Sequence, residues 1–271
     1  MKDVQSLLSI PFYLENHLPH AWTYLLLFVR FTALMIILPG IGGGMYGLHF
    51  RMPAVAALAY VSLISGPIVD IPSDGFVMLA KFTSEFAFGF ILGLIPAIII
   101  AGLQTAIQLS SGTMGLGAAQ LMDPTMGVSV SSLGRLLGDL FICIFLVIGG
   151  HYVVLYAASG LGQVQPGTFL IEAHSIQILI NQTGFIFDMA VMLSAPVIVA
   201  LLLTQFVMGL ISKAVPTVNI FIISFPLTIG IGLLLTIAAL PEMMVYMEKH
   251  FFKIDKLVVS VSESTESYNN Y

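Results

Sequence analysis

Six long stretches of this sequence contain no Asp, Glu, Lys or Arg: residues 31–50, 52–69, 86–122, 140–171, 189–212 and 214–241. The shortest holds 18 residues and the longest 37, whereas a helix crosses the hydrocarbon core of a bilayer with about 20 apolar residues. Six candidate crossings follow, at Leu18–Leu38, Pro53–Val69, Phe76–Leu109, Leu136–Ala158, Ala190–Ile211 and Val218–Leu240. Composition agrees: 58% of the residues are hydrophobic and 8% charged, against about 45–50% and 25% in soluble domains. A soluble enzyme, a nucleic-acid-binding domain and a disordered chain are all excluded. The expected fold class is an all-α membrane protein with about six long apolar segments, organised as one domain over 1–245 with a short polar tail over 246–271.

The first 17 residues resemble an amphipathic lead-in, and Pro11 and Glu15 break their apolar stretch. No small-residue cleavage site follows, so a cleaved signal peptide is not expected. With six crossings both termini lie on one side. Lys2, Lys81, Lys249, Lys253 and Lys256 share that side, against Arg51, Arg135 and Lys213 opposite, a small excess that favours cytoplasmic termini. Cys143 is the single cysteine, so an intramolecular disulfide is impossible.

Residues 110–134 differ from the rest. Twelve of these 25 residues are Gly, Ser or Thr, which is too much glycine for a stable helix, and the remainder is too apolar for a solvated loop. Non-helical backbone persists at membrane depth only where protein buries it or it lines a cavity. Met114, Met122 and Met126 cluster here. Unbranched thioethers serve either as adaptable core filler or as a soft apolar seal around a passing chain, and both readings stand.

Other motifs are less specific. Gly112-Thr113-Met114-Gly115-Leu116-Gly117 lacks the preceding strand and partner Lys or acid of a phosphate loop. Gly89-x-x-x-Gly93 and Gly134-x-x-x-Gly138 put small residues one turn apart, a pattern that lets helices approach closely. Arg30, Glu85, Asp139 and Lys213 lie within or beside apolar segments. Such charges form either an ion pathway or buried pairs and snorkelling ends, and the second reading is preferred. His151 has no companion at metal-ligand spacing. No nucleophile motif or zinc motif is present, so no enzyme, cofactor or metal is expected.

The order of several segments is similar to the FliR family of flagellar export-gate proteins and their virulence-type counterparts, the SctT-like proteins. The resemblance is carried by Arg30, Pro39, Arg51 and Pro53; by Glu85-x-x-x-Gly89-x-x-x-Gly93; by Gly102 through Gly112 to Asp123-Pro124; and by Gly149-Gly150-His151. It continues through Ala195-Pro196-Val197, Gly209-x-x-x-Lys213-Ala214-Val215-Pro216, Asn219-Ile220-Phe221 and Phe225-Pro226-Leu227-Thr228. Together these cover roughly residues 25–245. Lys213 stands where many members carry Arg, and a lysine lacks the bidentate fork.

The resemblance implies bent helical hairpins assembled in a helical hetero-oligomer in the bacterial inner membrane, at the flagellar basal body. One such chain joins FliP and FliQ, with FlhB at the cytoplasmic entrance, and unfolded flagellar proteins pass through the central pore. The family's central loop plugs that pore. Here it corresponds to about residues 110–126, which contain Gly112, Met114, Gly115, Leu116, Gly117, Leu121, Met122, Asp123, Pro124 and Met126. A virulence-type gate is the nearest alternative. A small-solute secondary transporter would show paired repeats with broken helices, and no repeat is evident.

Overall fold

The computed structural model describes residues 2–40, 47–115, 132–161, 164–169, 173–215 and 220–251. Every regular element among them is helical. In chain order these are α1 (Lys2–Ile37), α2 (Gly47–Ser65), α3 (Gly75–Thr113), α4 (Ser132–Ile148), α5 (Gly150–Ala158), α6 (Ala173–Ala214) and α7 (Ile220–Phe251). The chain is an all-α membrane protein.

Local chemistry sets where these helices start and stop. α1 ends before Pro39 and Gly40, and Gly40 takes a positive φ of 94°. At the other side of the next connection, α2 stops just before Gly66-Pro67, as expected because proline disfavours helical backbone in the residue before it. Asp74 caps α3: its Oδ1 accepts the Phe76 N–H at 3.0 Å, and its carbonyl accepts the Met78 N–H at 3.1 Å. α3 closes with Gly115 at φ +83°, donating to the Gly112 carbonyl at 3.1 Å, the left-handed stop that glycine adopts without penalty.

The crossings differ in number from the sequence expectation. Among the described residues, four helices are long and apolar enough to cross a membrane: His17–Ile37, Gly75–Thr113, Ile186–Ala214 and Ile222–His250. The pair Leu133–Ile148 and Gly150–Ala158 makes a fifth if taken as one broken span. The expected fourth crossing is broken because Gly149 sits at φ +82° between the two helices. The expected second crossing is a shorter apolar helix, Arg51–Ser65. A charge-free window counts connections as well as helix, and the Gly66-Pro67 punctuation cuts this one short. Conversely, the amphipathic lead-in and the first crossing form the single helix α1, and the half-polar stretch 168–188 feeds into α6 without a break from Ala173. The helical segment α7 continues past residue 245 to Phe251.

The described residues group into two compact units. One contains those within Met1–Ala97 and Gly149–Ile180; the other contains those within Ile98–Ile148 and Asn181–Phe252. In the first unit, α1 and the N-terminal half of α3 bury Leu26, Leu27, Phe31, Leu34, Phe88 and Leu92. Their close crossing depends on glycine: a Cβ on Gly89 would lie 2.1 Å from the Arg30 carbonyl oxygen, and one on Gly93 would lie 3.0 Å from that of Leu34. In the second unit, Leu103, Ile107, Phe141, Phe145, Val197 and Leu201 are fully or almost fully buried. There Gly102 faces Met189 and Gly138 faces Gln104, each closer than a Cβ would allow.

Candidate functional site

Two of the deep charges singled out from the sequence meet. Arg30 of α1 and Glu85 of α3 have no exposed side-chain surface and form a bidentate pair, Nε to Oε2 at 2.5 Å and Nη2 to Oε1 at 3.0 Å. The remaining donors of Arg30 reach backbone carbonyls at the end of α5 and just beyond it. Nη1 donates to Ala158 at 3.4 Å and Val164 at 3.1 Å, and Nη2 donates to Gln165 at 3.2 Å. All five guanidinium N–H groups therefore have acceptors. Glu85 is tied to the same segment, since Oε1 accepts the Gly167 N–H at 2.6 Å.

Apolar packing surrounds the pair. The guanidinium lies 4.7 Å from the centroid of the Phe88 ring, and Phe88 in turn packs on Phe169 at 4.7 Å. Gly160 and Gly167 turn the connecting segment with φ of +75° and +77°. A buried ion pair stabilises only when its remaining hydrogen-bonding capacity is met, and here the carbonyls of Ala158, Val164 and Gln165 meet it. The arrangement fixes α1, α3 and the residues after α5 to one another and leaves no donor of Arg30 for a transported ion.

A second locus lies where α3 ends. Met114 is 1% exposed and packs with Val197 and Leu201 of α6, bordered by Leu133, Ile231 and Leu235. Its side chain occupies the notch left by Gly232 of α7, where a Cβ would approach Met114 Cγ to 2.4 Å. The last carbonyls of α3 are capped from two directions. Gln205 Nε2 donates to the Thr113 carbonyl at 3.0 Å, and the Thr228 hydroxyl lies 3.3 Å from the Met114 carbonyl and 3.0 Å from that of Phe225. Beside this seat a cavity of about 320 Å³ is lined by Gln205, Met208, Ser224, Phe225 and Thr228 together with Met114 and Gly115.

Of the central segment expected over 110–126, residues through Thr113 complete α3, and Met114 and Gly115 form the closing turn. Gly112 faces open space. Leu116, Gly117, Leu121, Met122, Asp123, Pro124 and Met126 lie outside the described residues. Asp139 on α4 and Lys213 at the end of α6 are exposed on this chain's surface. The His151 ring lies 4.0 Å from that of Tyr152. Among the described residues no three His, Cys, Asp or Glu side chains gather as a metal site. Nothing in the sequence marks the carbonyls of Ala158, Val164 and Gln165, since every residue type possesses one. Gly232 carries little more signal, only its place four residues after Thr228 in an apolar run.

Long apolar helices, one set holding a saturated buried ion pair and another a glycine-seated methionine, define a membrane protein. The family model "Bacterial export proteins, family 1" matches residues 21–254. The chain belongs to that family. Among similar proteins, Yop proteins translocation protein T of Yersinia pestis is 28% identical over 235 residues, covering 84% of this chain and 89% of its own. Flagellar biosynthetic protein FliR of Bacillus subtilis is 25% identical over 239 residues, with 84% and 90% covered. The FliR protein of Aquifex aeolicus is 28% identical over 233 residues, with 84% and 89% covered. The chain is thus an inner-membrane component of a type III secretion export apparatus, working with other export proteins, and it is not an enzyme.

Proposed function

We propose that this chain is the FliR-type subunit of a flagellar export gate. It completes, with FliP and FliQ, the pore through which unfolded flagellar proteins leave the cell, and FlhB covers the cytoplasmic entrance. The observation that carries assembly with other apolar subunits is the uneven burial of the long helices. Within the chain, 67% of the apolar window of α3 is buried, but only 33% of that in Ile186–Ala214 and 17% of that in Ile222–His250. Large exposed apolar surfaces mark contact with lipid or with other proteins, and the last two helices supply them.

Gating is steric and apolar in this reading. The segment 110–126, rich in Gly, Met and Leu, packs in the pore and excludes ions as a dewetted constriction does, then conforms around an extended polypeptide. It performs no chemistry on the substrate. Anchoring of Met114 at one end of the segment supports this, because a plug needs a fixed base. Deleting residues 116–122 is expected to make the assembled gate conduct ions, read as potassium efflux from cells that express it. Unchanged conductance in an assembled gate would sink the plug.

Similarity to Yop proteins translocation protein T supports a virulence-type gate as the second reading. Complementation separates the two: restored motility in a strain lacking its FliR favours the flagellar assignment, and restored secretion of virulence effectors favours the other. Co-purification with two small apolar subunits distinguishes either gate from a lone transporter.

A further inference from the structure

The first turns of α3 border a cavity that the gate reading leaves without a role. Its volume is about 570 Å³, and it lies within the first unit. Phe76, Val77, Leu79, Ala80 and Phe169 give it apolar walls, and Lys81 is the one charged side chain among the described lining residues. The Lys81 ammonium sits beside Gly167, 3.5 Å from where a Cβ on that glycine would stand. One turn further along α3, Glu85 spends its carboxylate on Arg30 and the Gly167 N–H. Among the described residues Lys81 therefore has no carboxylate of its own. The Thr83 and Ser84 hydroxyls also line the cavity, but each donates to a carbonyl of α3, those of Leu79 and Lys81, at 2.9 Å. The ammonium is the side-chain donor left for a ligand.

We propose that this cavity holds an acidic phospholipid, with a headgroup phosphate at Lys81 and an acyl chain along Phe76, Leu79 and Phe169. Position selects that occupant first. Phe76 and Leu79 are 78% and 64% exposed, at the start of a helix able to cross a membrane and just after the polar link Asp70–Gly75. Headgroups meet acyl chains at such a border. Charge selects it second. An apolar helix of another subunit would bury the ammonium without a counter-charge, at high cost, and a free anion would leave the apolar walls in water. An acidic lipid meets both needs, as it does in other basic pockets beside membrane helices. Asp70 and Asp74 precede the cavity, but both are exposed and Asp74 is engaged in capping α3. The proposal needs only a membrane chain and does not depend on the gate reading.

The test uses the full chain purified in neutral detergent with its associated subunits, and reads bound lipid by native mass spectrometry during titration with phosphatidylglycerol, phosphatidylcholine or inorganic phosphate. Wild type should prefer phosphatidylglycerol. Lys81→Gln should weaken that binding about fivefold, the loss expected for one basic contact to an acidic lipid, and leave phosphatidylcholine unchanged. Lys81→Arg should stay near wild type, and Ala80→Trp, which fills the cavity, should weaken both lipids. Equal affinity of wild type and Lys81→Gln for phosphatidylglycerol overturns the proposal. So does inorganic phosphate that displaces phosphatidylglycerol at equal concentration, which would mark a free-anion site. A photo-reactive residue at Leu79 that yields adducts with protein and none with lipid in intact cells would make the cavity a subunit interface, and would overturn it as well.

Discussion

Arg30 shows how much a single buried side chain can organise. Its charge is met by Glu85, and its three further donors reach carbonyls at positions 158, 164 and 165. Removing one partner of such a pair leaves the other charge buried and costs about 3–5 kcal/mol. Arg30→Met is therefore expected to abolish accumulation of the chain in membranes, measured by immunoblot. Glu85→Gln should be milder, because an amide oxygen still accepts the Gly167 N–H. Exchanging the two residues should not rescue: a carboxylate at position 30 would face three carbonyl oxygens. Wild-type levels of the exchanged variant would show that net charge, and not the donor fork, is what matters. Both charges were legible in the sequence because an ionisable residue within an apolar stretch is costly and stands out. Their partnership was not, since it joins positions 55 residues apart and depends on how α1 crosses α3.

Helices were the most legible elements, and their limits the least. The 37-residue window contains most of α3, and Pro96 within it is accommodated without ending the helix, as helices in apolar surroundings often allow. By contrast, Gly149 breaks the fourth window, and nothing in the charge pattern distinguishes that glycine from Gly134 or Gly138. Space around each glycine now separates their roles. Gly89→Ala should disrupt the first unit severely, because its methyl group would meet the Arg30 backbone at 2.1 Å and backbone cannot rotate away. Gly184→Ala on α6 meets nothing within 4 Å and should be neutral or stabilise by about 0.5–1 kcal/mol through the alanine preference of helices. Thermal melts of the detergent-purified complex test the contrast. Equal melting temperatures for the two variants would mean that the α1–α3 crossing yields more easily than its geometry indicates.

At the scale of the molecule, the chain buries Arg30, Arg51 and Glu85 and displays many large apolar side chains. Leu203 and Phe206 of α6 and Leu234 and Ile237 of α7 are each more than half exposed. A photo-reactive residue at Leu203, Phe206 or Ile237 should yield adducts with other apolar export subunits in intact cells. Adducts with lipid alone would argue against an interface on these helices. The sequence disclosed the membrane class and, through its order of motifs, the family. It did not disclose which apolar surfaces are covered within the chain, because the windows of α3 and α7 read alike until their burial is compared.

The saturated pair also bears on how an energised membrane acts on this protein. A single charge moved through a bilayer potential exchanges about 2.3 kcal/mol per 100 mV, which is how voltage sensors are driven. Arg30 and Glu85 carry equal and opposite charges 2.5 Å apart at their closest atoms. Wherever they sit in the electric field, the forces on them almost cancel. The pair itself therefore adds almost nothing to the charge on which the potential acts, and it can shift without doing work against that potential. A force that moves this pair must arrive as mechanical displacement of α1, α3 or the residues around Gly167 that hold it.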